Sequence, residues 1–166
     1  MTKLIDRIDR VSEWTGISIA WLTIVMMFLT CAVVIARYLF NVGSIAMQES
    51  VVYLHGMVFM LGIAYTLKRE AHVRVDIIYQ KLSQRSRAII DLFGSVCFLL
   101  PVAGFIFWSS LDYVSFSWSV RESSPEPGGL PGVYILKTLI PLMAFTLALQ
   151  GVNEILRNLA IIMKKD

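Results

Sequence analysis

The sequence predicts an all-α membrane protein of four transmembrane helices with both termini on the cytoplasmic side. Three observations carry this prediction. First, Trp14–Ala36, Ser50–Leu67, Leu92–Leu111 and Thr138–Asn153 are runs of 23, 18, 20 and 16 residues without Asp, Glu, Lys or Arg. A helix needs about 20 apolar residues to cross the hydrocarbon core, and polar flanks are accommodated at its ends. Second, hydrophobic residues make up 57% of the 166-residue chain and charged residues 16%, against about 25% charged in a soluble domain. Third, the basic residues are one-sided. With four spans, twelve Lys/Arg fall on the side of the termini: Lys3, Arg7, Arg10, then Lys68, Arg69, Arg74, Lys81, Arg85, Arg87, then Arg157, Lys164 and Lys165. The opposite loops carry only Arg37 and Arg121. The side rich in Lys and Arg stays cytoplasmic.

The chain reads as a single integral membrane domain, residues 1–166, with spans near 14–40, 46–67, 84–118 and 133–155. Its net charge of +3 does not point to nucleic acid. The basic residues sit at helix ends, where orientation and attraction to anionic lipid account for them. The first apolar run is too long for a signal h-region, follows Asp6, Asp9 and Glu13, and precedes no A-x-A site. It is expected to be a retained anchor.

Ahead of span one, Leu4, Ile5, Ile8 and Val11 share one helical face and Lys3, Asp6, Arg7 and Arg10 much of the other. Residues 3–12 therefore form a short amphipathic helix on the membrane surface, or extend the first span. Asn41–Ile45 is a tight outer turn with Gly43 and Ser44. Span two follows, with Glu49 near its start. Ser83 is an N-cap for span three, which is long enough to require a tilt, a kink or a protrusion, with Pro101 as the expected kink. Residues 123–132, rich in Pro and Gly, admit neither helix nor strand and form an outer loop. Span four contains Pro141. Neither an internal repeat nor an inverted pair of broken helices is present, which argues against a complete secondary transporter.

Few residues carry chemistry. Cys31 and Cys97 lie in apolar runs without a C-x-x-C pair and read as small packing residues. His55 and His72, 17 positions apart, are too distant along a helix to ligate one haem iron, so His55 reads as a hydrogen-bonded packing residue. Glu49 invites comparison with proton-coupled carboxylates, but it lies near the outer interface. There it serves a helix end or pairs with Arg37, Arg121 or Lys137. Lys137 either snorkels outward or pairs with an acid on a neighbouring helix or a partner. Gly56, Gly62, Gly94, Gly104 and Gly151 are expected at close helix contacts. The sequence contains neither a P-loop nor H-E-x-x-H nor a serine elbow, and no enzyme, cofactor or metal site is indicated.

The most distinctive string runs from Gly62 to Asp76 and ends in His72-Val73-Arg74-Val75-Asp76. In an extended conformation His72, Arg74 and Asp76 share one side, which suits a re-entry turn at headgroup level. The pattern A-Y-x-L-K-x-x-x-H-V-R-V-D after the second span resembles the small membrane subunit of tripartite ATP-independent periplasmic (TRAP) transporters, the DctQ type. Glu49 early in span two is similar to that family's acidic residue. So are Glu122-Ser123-Ser124-Pro125-Glu126-Pro127, Leu130-Pro131, Leu136-Lys137 with Ile140-Pro141, and Gln150-Gly151.

The resemblance implies a bacterial inner-membrane scaffold in sodium-coupled, binding-protein-dependent symport of an organic acid. Its partners are membrane lipid, a large M-type membrane subunit that carries solute and sodium, and a periplasmic P-type substrate-binding protein. Candidate assembly contacts are Glu49, His72, Arg74, Asp76 and Lys137. The outer loop, with Trp118, Arg121, Glu122 and Glu126, is the candidate docking surface for the binding protein. Two rivals are a stand-alone small multidrug/proton exchanger and the membrane anchor subunit of a respiratory complex.

Overall fold

The computed structural model describes residues 2–69, 79 and 81–163, with side chains placed from Arg7 onward. Among these residues there is no strand. The helices are α1 (Thr2–Leu39), α2 (Ile45–Lys68), α3 (Gln84–Ser119) and α4 (Val133–Met163), and all four are long and apolar enough to cross a membrane. Their 38, 24, 36 and 31 residues correspond to lengths of about 57, 36, 54 and 46 Å. Only α2 is close to the thickness of the hydrocarbon core, about 30 Å. The others overshoot, largely at the end that carries both termini, here called the terminal end.

Two expected boundaries move outward. Residues 3–12 continue α1 without a break, so of the two readings of that segment the helix is an extension of the span. The last helix runs to Met163 rather than stopping near 155. Both extensions carry polar residues that pair with each other, as described below. His72, Arg74 and Asp76 lie outside the described residues.

Local chemistry sets the turns. Asn41 adopts a left-handed φ of 51°, and the Val42 amide donates back to the Ala36 carbonyl at 2.9 Å. The Ser44 hydroxyl then accepts from the Met47 amide and caps α2. Ser83 caps α3 in the same way, accepting from the Ser86 amide at 3.2 Å. Within α3 the expected kink takes a specific form. Gln84–Gly94 is α-helical, Ser95–Leu99 is a π-helical turn in which the Leu100 amide reaches the Ser95 carbonyl, and Leu100–Ser119 is α-helical again. Pro101 has no N–H to give and its ring crowds the preceding turn, and the wider turn accommodates both.

The helices pack as a row: α1 on α2, α2 on α4, α4 on α3, with the start of α1 also reaching α4. A wedge of about 500 Å³ between the ends of α2 and α3, lined by Leu67, Ser95, Leu99, Glu154 and Asn158, marks where those two helices diverge over α4. As the middle element α4 is the most enclosed, burying Leu139, Pro141, Ala144, Gln150, Gly151, Asn153 and Asn158.

The interior reverses the pattern of a soluble protein. Among the described residues, four of the seven buried hydrophobic ones are alanines (Ala64, Ala88, Ala103, Ala144), while the largest fully buried side chains are Gln150, Asn153 and Ser117. Large apolar groups point outward, with Trp14, Phe105 and Trp108 each more than 70% exposed. In lipid there is no hydrophobic drive to bury them, and small residues allow close backbone approach. Gly151 shows the effect: a β-carbon there would lie 2.6 Å from Leu99 Cδ2. Gly56 faces Leu136, and Gly16, not expected at a contact, lies against the Tyr65 ring. Gly62, Gly94 and Gly104 face open space instead, and Cys31 and Cys97 are exposed on the outer helix surfaces rather than packed. His55 is also exposed and stacks on Phe59 without a hydrogen bond to any described residue.

Candidate functional site

Polar side chains gather in two bands, and no charged residue lies between them along the four uncharged runs. The band at the far end, opposite the termini, holds the outer loop. Glu49, the fifth residue of α2, accepts from the Leu130 amide at 2.6 Å and from the Ser124 hydroxyl. Its partners are thus neither Arg37, Arg121 nor Lys137. A loop folded back on itself presents an N–H and an O–H to the carboxylate, and Lys137 is engaged by Glu122 instead. The fold-back is held by Ser124 N–H to the Leu130 carbonyl at 3.1 Å and Gly129 N–H to the Glu126 carbonyl at 3.0 Å. Position 129 requires glycine, since a β-carbon would sit 2.8 Å from Glu49 Oε1. Gly128 supplies the positive φ of the turn, 81°.

Lys137 pairs with an acid rather than snorkelling outward. Its Nζ lies 2.6 Å from Glu122 Oε2 and 4.0 Å from the centroid of the Tyr113 ring. The Ser117 hydroxyl donates to the same Glu122 oxygen at 2.6 Å. The Glu122 carboxyl is held below its ordinary range, first by the hydrogen bond from Lys137 and then by Ser117. Trp118 donates from Nε1 to Thr138 Oγ1 at 2.9 Å and meets Tyr134 edge-on at 4.7 Å. Among the proposed docking residues, then, Trp118 and Glu122 are engaged internally. Arg121, with a φ of 45°, and Glu126 are exposed.

The second band, at the terminal end, joins three helices. Asp9 on α1 accepts from Asn153 Nδ2 at 2.7 Å and from Arg157 Nη2 at 3.0 Å, both on α4. Lys68, at the end of α2, donates to the Asp9 carbonyl at 2.8 Å and pairs with Glu13 at 2.5 Å; Arg69 also pairs with Glu13. Ser12 donates to Gln150 Oε1 at 3.1 Å, and Gln150 and Arg157 both reach Glu154 Oε1 at 3.3 Å. Sequence reasoning missed this band. Its signal is visible afterwards: Asp9 and Glu13 are one turn apart on α1, and Gln150, Asn153, Glu154 and Arg157 form one stripe on α4. Nearby, the Tyr79 hydroxyl donates to Asp91 and Arg87 lies over the Tyr79 ring.

Among the described residues no three of His, Cys, Asp or Glu converge to hold a metal ion. What the two bands do chemically is tie helices and a loop together.

Comparison with known proteins agrees with this architecture. Residues 26–160 match the family model described as tripartite ATP-independent periplasmic transporters, DctQ component. The C4-dicarboxylate TRAP transporter small permease protein DctQ of Vibrio cholerae is 27% identical over 107 residues, which cover 61% of this chain and 46% of that protein. The isethionate TRAP transporter permease protein DctMQ of Oleidesulfovibrio alaskensis is 28% identical over 78 residues, 47% of this chain and 12% of that protein. The match thus spans less than half the length of either relative. No solved structure matches the chain. The family match takes in α2 and α3 whole, with most of α4 and the last part of α1, so the chain belongs to the DctQ family, the small permease component of TRAP transporters.

Proposed function

We propose that this chain is the static brace of a bacterial inner-membrane TRAP transporter. It packs against a separate large membrane subunit that moves solute and sodium, while a periplasmic binding protein delivers an organic acid to the far end. The termini and the α2–α3 connection face the cytoplasm, in keeping with the twelve-to-two distribution of Lys and Arg.

One observation carries the reading. The charged groups are confined to two end bands, and there the acids with described partners are engaged in ties between helices and loop. Ionisable groups within the span mark the pathways of many carriers, and the uncharged runs provide no carboxylate, Lys or Arg there. Both bonded oxygens of Glu49 are in use within its own chain, which weighs against a proton exchanger built on that residue. The name of the Oleidesulfovibrio relative, a permease protein DctMQ in which the matched region is 12% of the length, supports a function exercised together with a larger membrane part.

The brace uses its exposed apolar faces, led by Trp14, Trp21 and Phe28 on α1 and Phe105 and Trp108 on α3, to meet lipid and the large subunit. Arg121 and Glu126 reach the binding protein. His72, Arg74 and Asp76 stabilise assembly through the cytoplasmic turn. Co-expression with an M-type large TRAP subunit of the same organism tests the proposal: the two should co-purify as one complex. Recovery of the two as separate species from native membranes overturns it. Charge reversal of Arg121 and Glu126 together should weaken binding-protein docking and leave co-purification intact.

A further inference from the structure

A half-enclosed cleft of about 180 Å³ opens between α1, α2 and α4 at the terminal end. Its wall is almost wholly apolar, formed by Ile8, Val11, Leu61, Ala64 and Leu149, with Thr15 at its deeper part and exposed Arg7 at its rim. From Arg7 to Thr15 the cleft descends about 12 Å along α1. It begins at the level of the Asp9 and Glu13 ion pairs and ends within the uncharged run. That is the boundary between headgroups and acyl chains.

Size and charge select an occupant. A helix with its side chains is about 10 Å across and does not enter a cleft of this volume, whereas one acyl chain does. The cations of the terminal band are committed: Lys68 and Arg69 to Glu13, and Arg157 to Asp9 and Glu154. Arg7 is different, because it lines the cleft and makes no ion pair with a described acid. A cation left over at the mouth of an apolar slot between spans complements an anionic lipid headgroup.

We propose that this cleft seats an anionic glycerophospholipid of the leaflet on the terminal side. One acyl chain lies against Val11, Thr15 and Ala64, and its phosphate accepts from the Arg7 guanidinium. The lipid fills the seam between α1 and the α2–α4 pair and adds to the polar tie beside it. The inference requires that the helices span a bilayer; it is independent of the transport reading and is tested without transport.

The full chain is reconstituted with equal amounts of phosphatidylglycerol and phosphatidylcholine of identical acyl composition, extracted in mild detergent, and analysed by native mass spectrometry. The expected result is one retained phosphatidylglycerol in preference to phosphatidylcholine. Arg7→Ala should reduce that preference about fivefold, the effect of one cationic contact at the membrane surface. Arg37→Ala, at the far end, should leave it unchanged. Thr15→Trp should fill the slot and abolish retention of both lipids. Equal retention of the two lipids by the unaltered chain overturns the proposal. So does an unchanged preference in Arg7→Ala, a loss in Arg37→Ala equal to that in Arg7→Ala, or a second copy of the chain in place of a lipid. Should Thr15→Trp not fold, as judged by helical circular dichroism, the exposed Arg7→Ala variant decides alone.

Discussion

The two polar bands solve different problems with similar groups. At the terminal end, side chains from three helices meet one another, and the tie is helix to helix: Asp9 with Asn153 and Arg157, Glu13 with Lys68 and Arg69. At the far end, Glu49 and Lys137 grip the connection between α3 and α4, residues 120–132, through Ser124, Leu130 and Glu122. The first sets how the row of helices is registered. The second sets the shape of a loop. Damage to the first should therefore loosen the whole row, and damage to the second should free the loop while the row persists.

The largest expected effect is at the α1–α2 seam beside the terminal tie. Gly16→Leu drives a side chain into the Tyr65 ring and should destabilise the chain by about 3 kcal/mol, the upper part of the usual range for overpacking. Thermal unfolding in detergent measures it. Next is Asn153→Leu. It removes a fully buried donor to Asp9 and should cost about 1–2 kcal/mol, as for polar contacts between membrane helices. The same unfolding assay reads this loss, and cross-links between α1 and α4 should weaken with it.

At the far end, Glu49→Gln should accelerate proteolysis within residues 123–132 by roughly tenfold, because one loop anchor is lost. The unfolding temperature should change little. If the temperature falls as far as in Asn153→Leu, the division between the two ends is wrong. Acid provides a milder perturbation of the same region. The Glu122 carboxyl is depressed from 4.5 by Lys137 and Ser117, so its stabilising contribution is complete above pH 4.5. It is lost as pH falls through the lower folded value. Loop protection should fade over that acid window and return on neutralisation. Smallest of all, Arg121→Ala with Glu126→Ala should shift stability by less than about 0.5 kcal/mol, as expected for exposed positions.

Much of this organisation was legible in the sequence. Long uncharged runs fix the number of spans, because no other use of four such segments satisfies the backbone in lipid. The far-end residues also stood out: Glu49 and Lys137 are charges in apolar surroundings and had to be satisfied. Their partners were not legible, since the loop's fold-back depends on Gly128, Gly129 and hydrogen bonds between residues that no period relates. The boundary at Met163 was missed, and the start of α1 was left between two readings, for a related reason. Polar residues before Trp14 and after Asn153 read as chain leaving the membrane, yet they continue helical because they pair across the row.

Which face of each helix is inward was the least visible feature. A soluble helix advertises its buried side by polarity, but a span bathed in lipid is apolar all round. Packing instead follows small residues such as Gly16, Ala64 and Gly151, whose contacts only the assembled row reveals. Gly62 and Gly104 have the same chemistry, and a β-carbon at either would meet nothing.

The most direct test of the brace is uptake into vesicles under an inward sodium gradient. With the solute identified from the proposed binding protein, vesicles containing this chain together with the proposed large subunit are expected to accumulate it. Vesicles containing this chain and the binding protein alone are expected to accumulate no more solute than protein-free vesicles. Concentrative, sodium-dependent uptake by this chain without the large subunit contradicts the account.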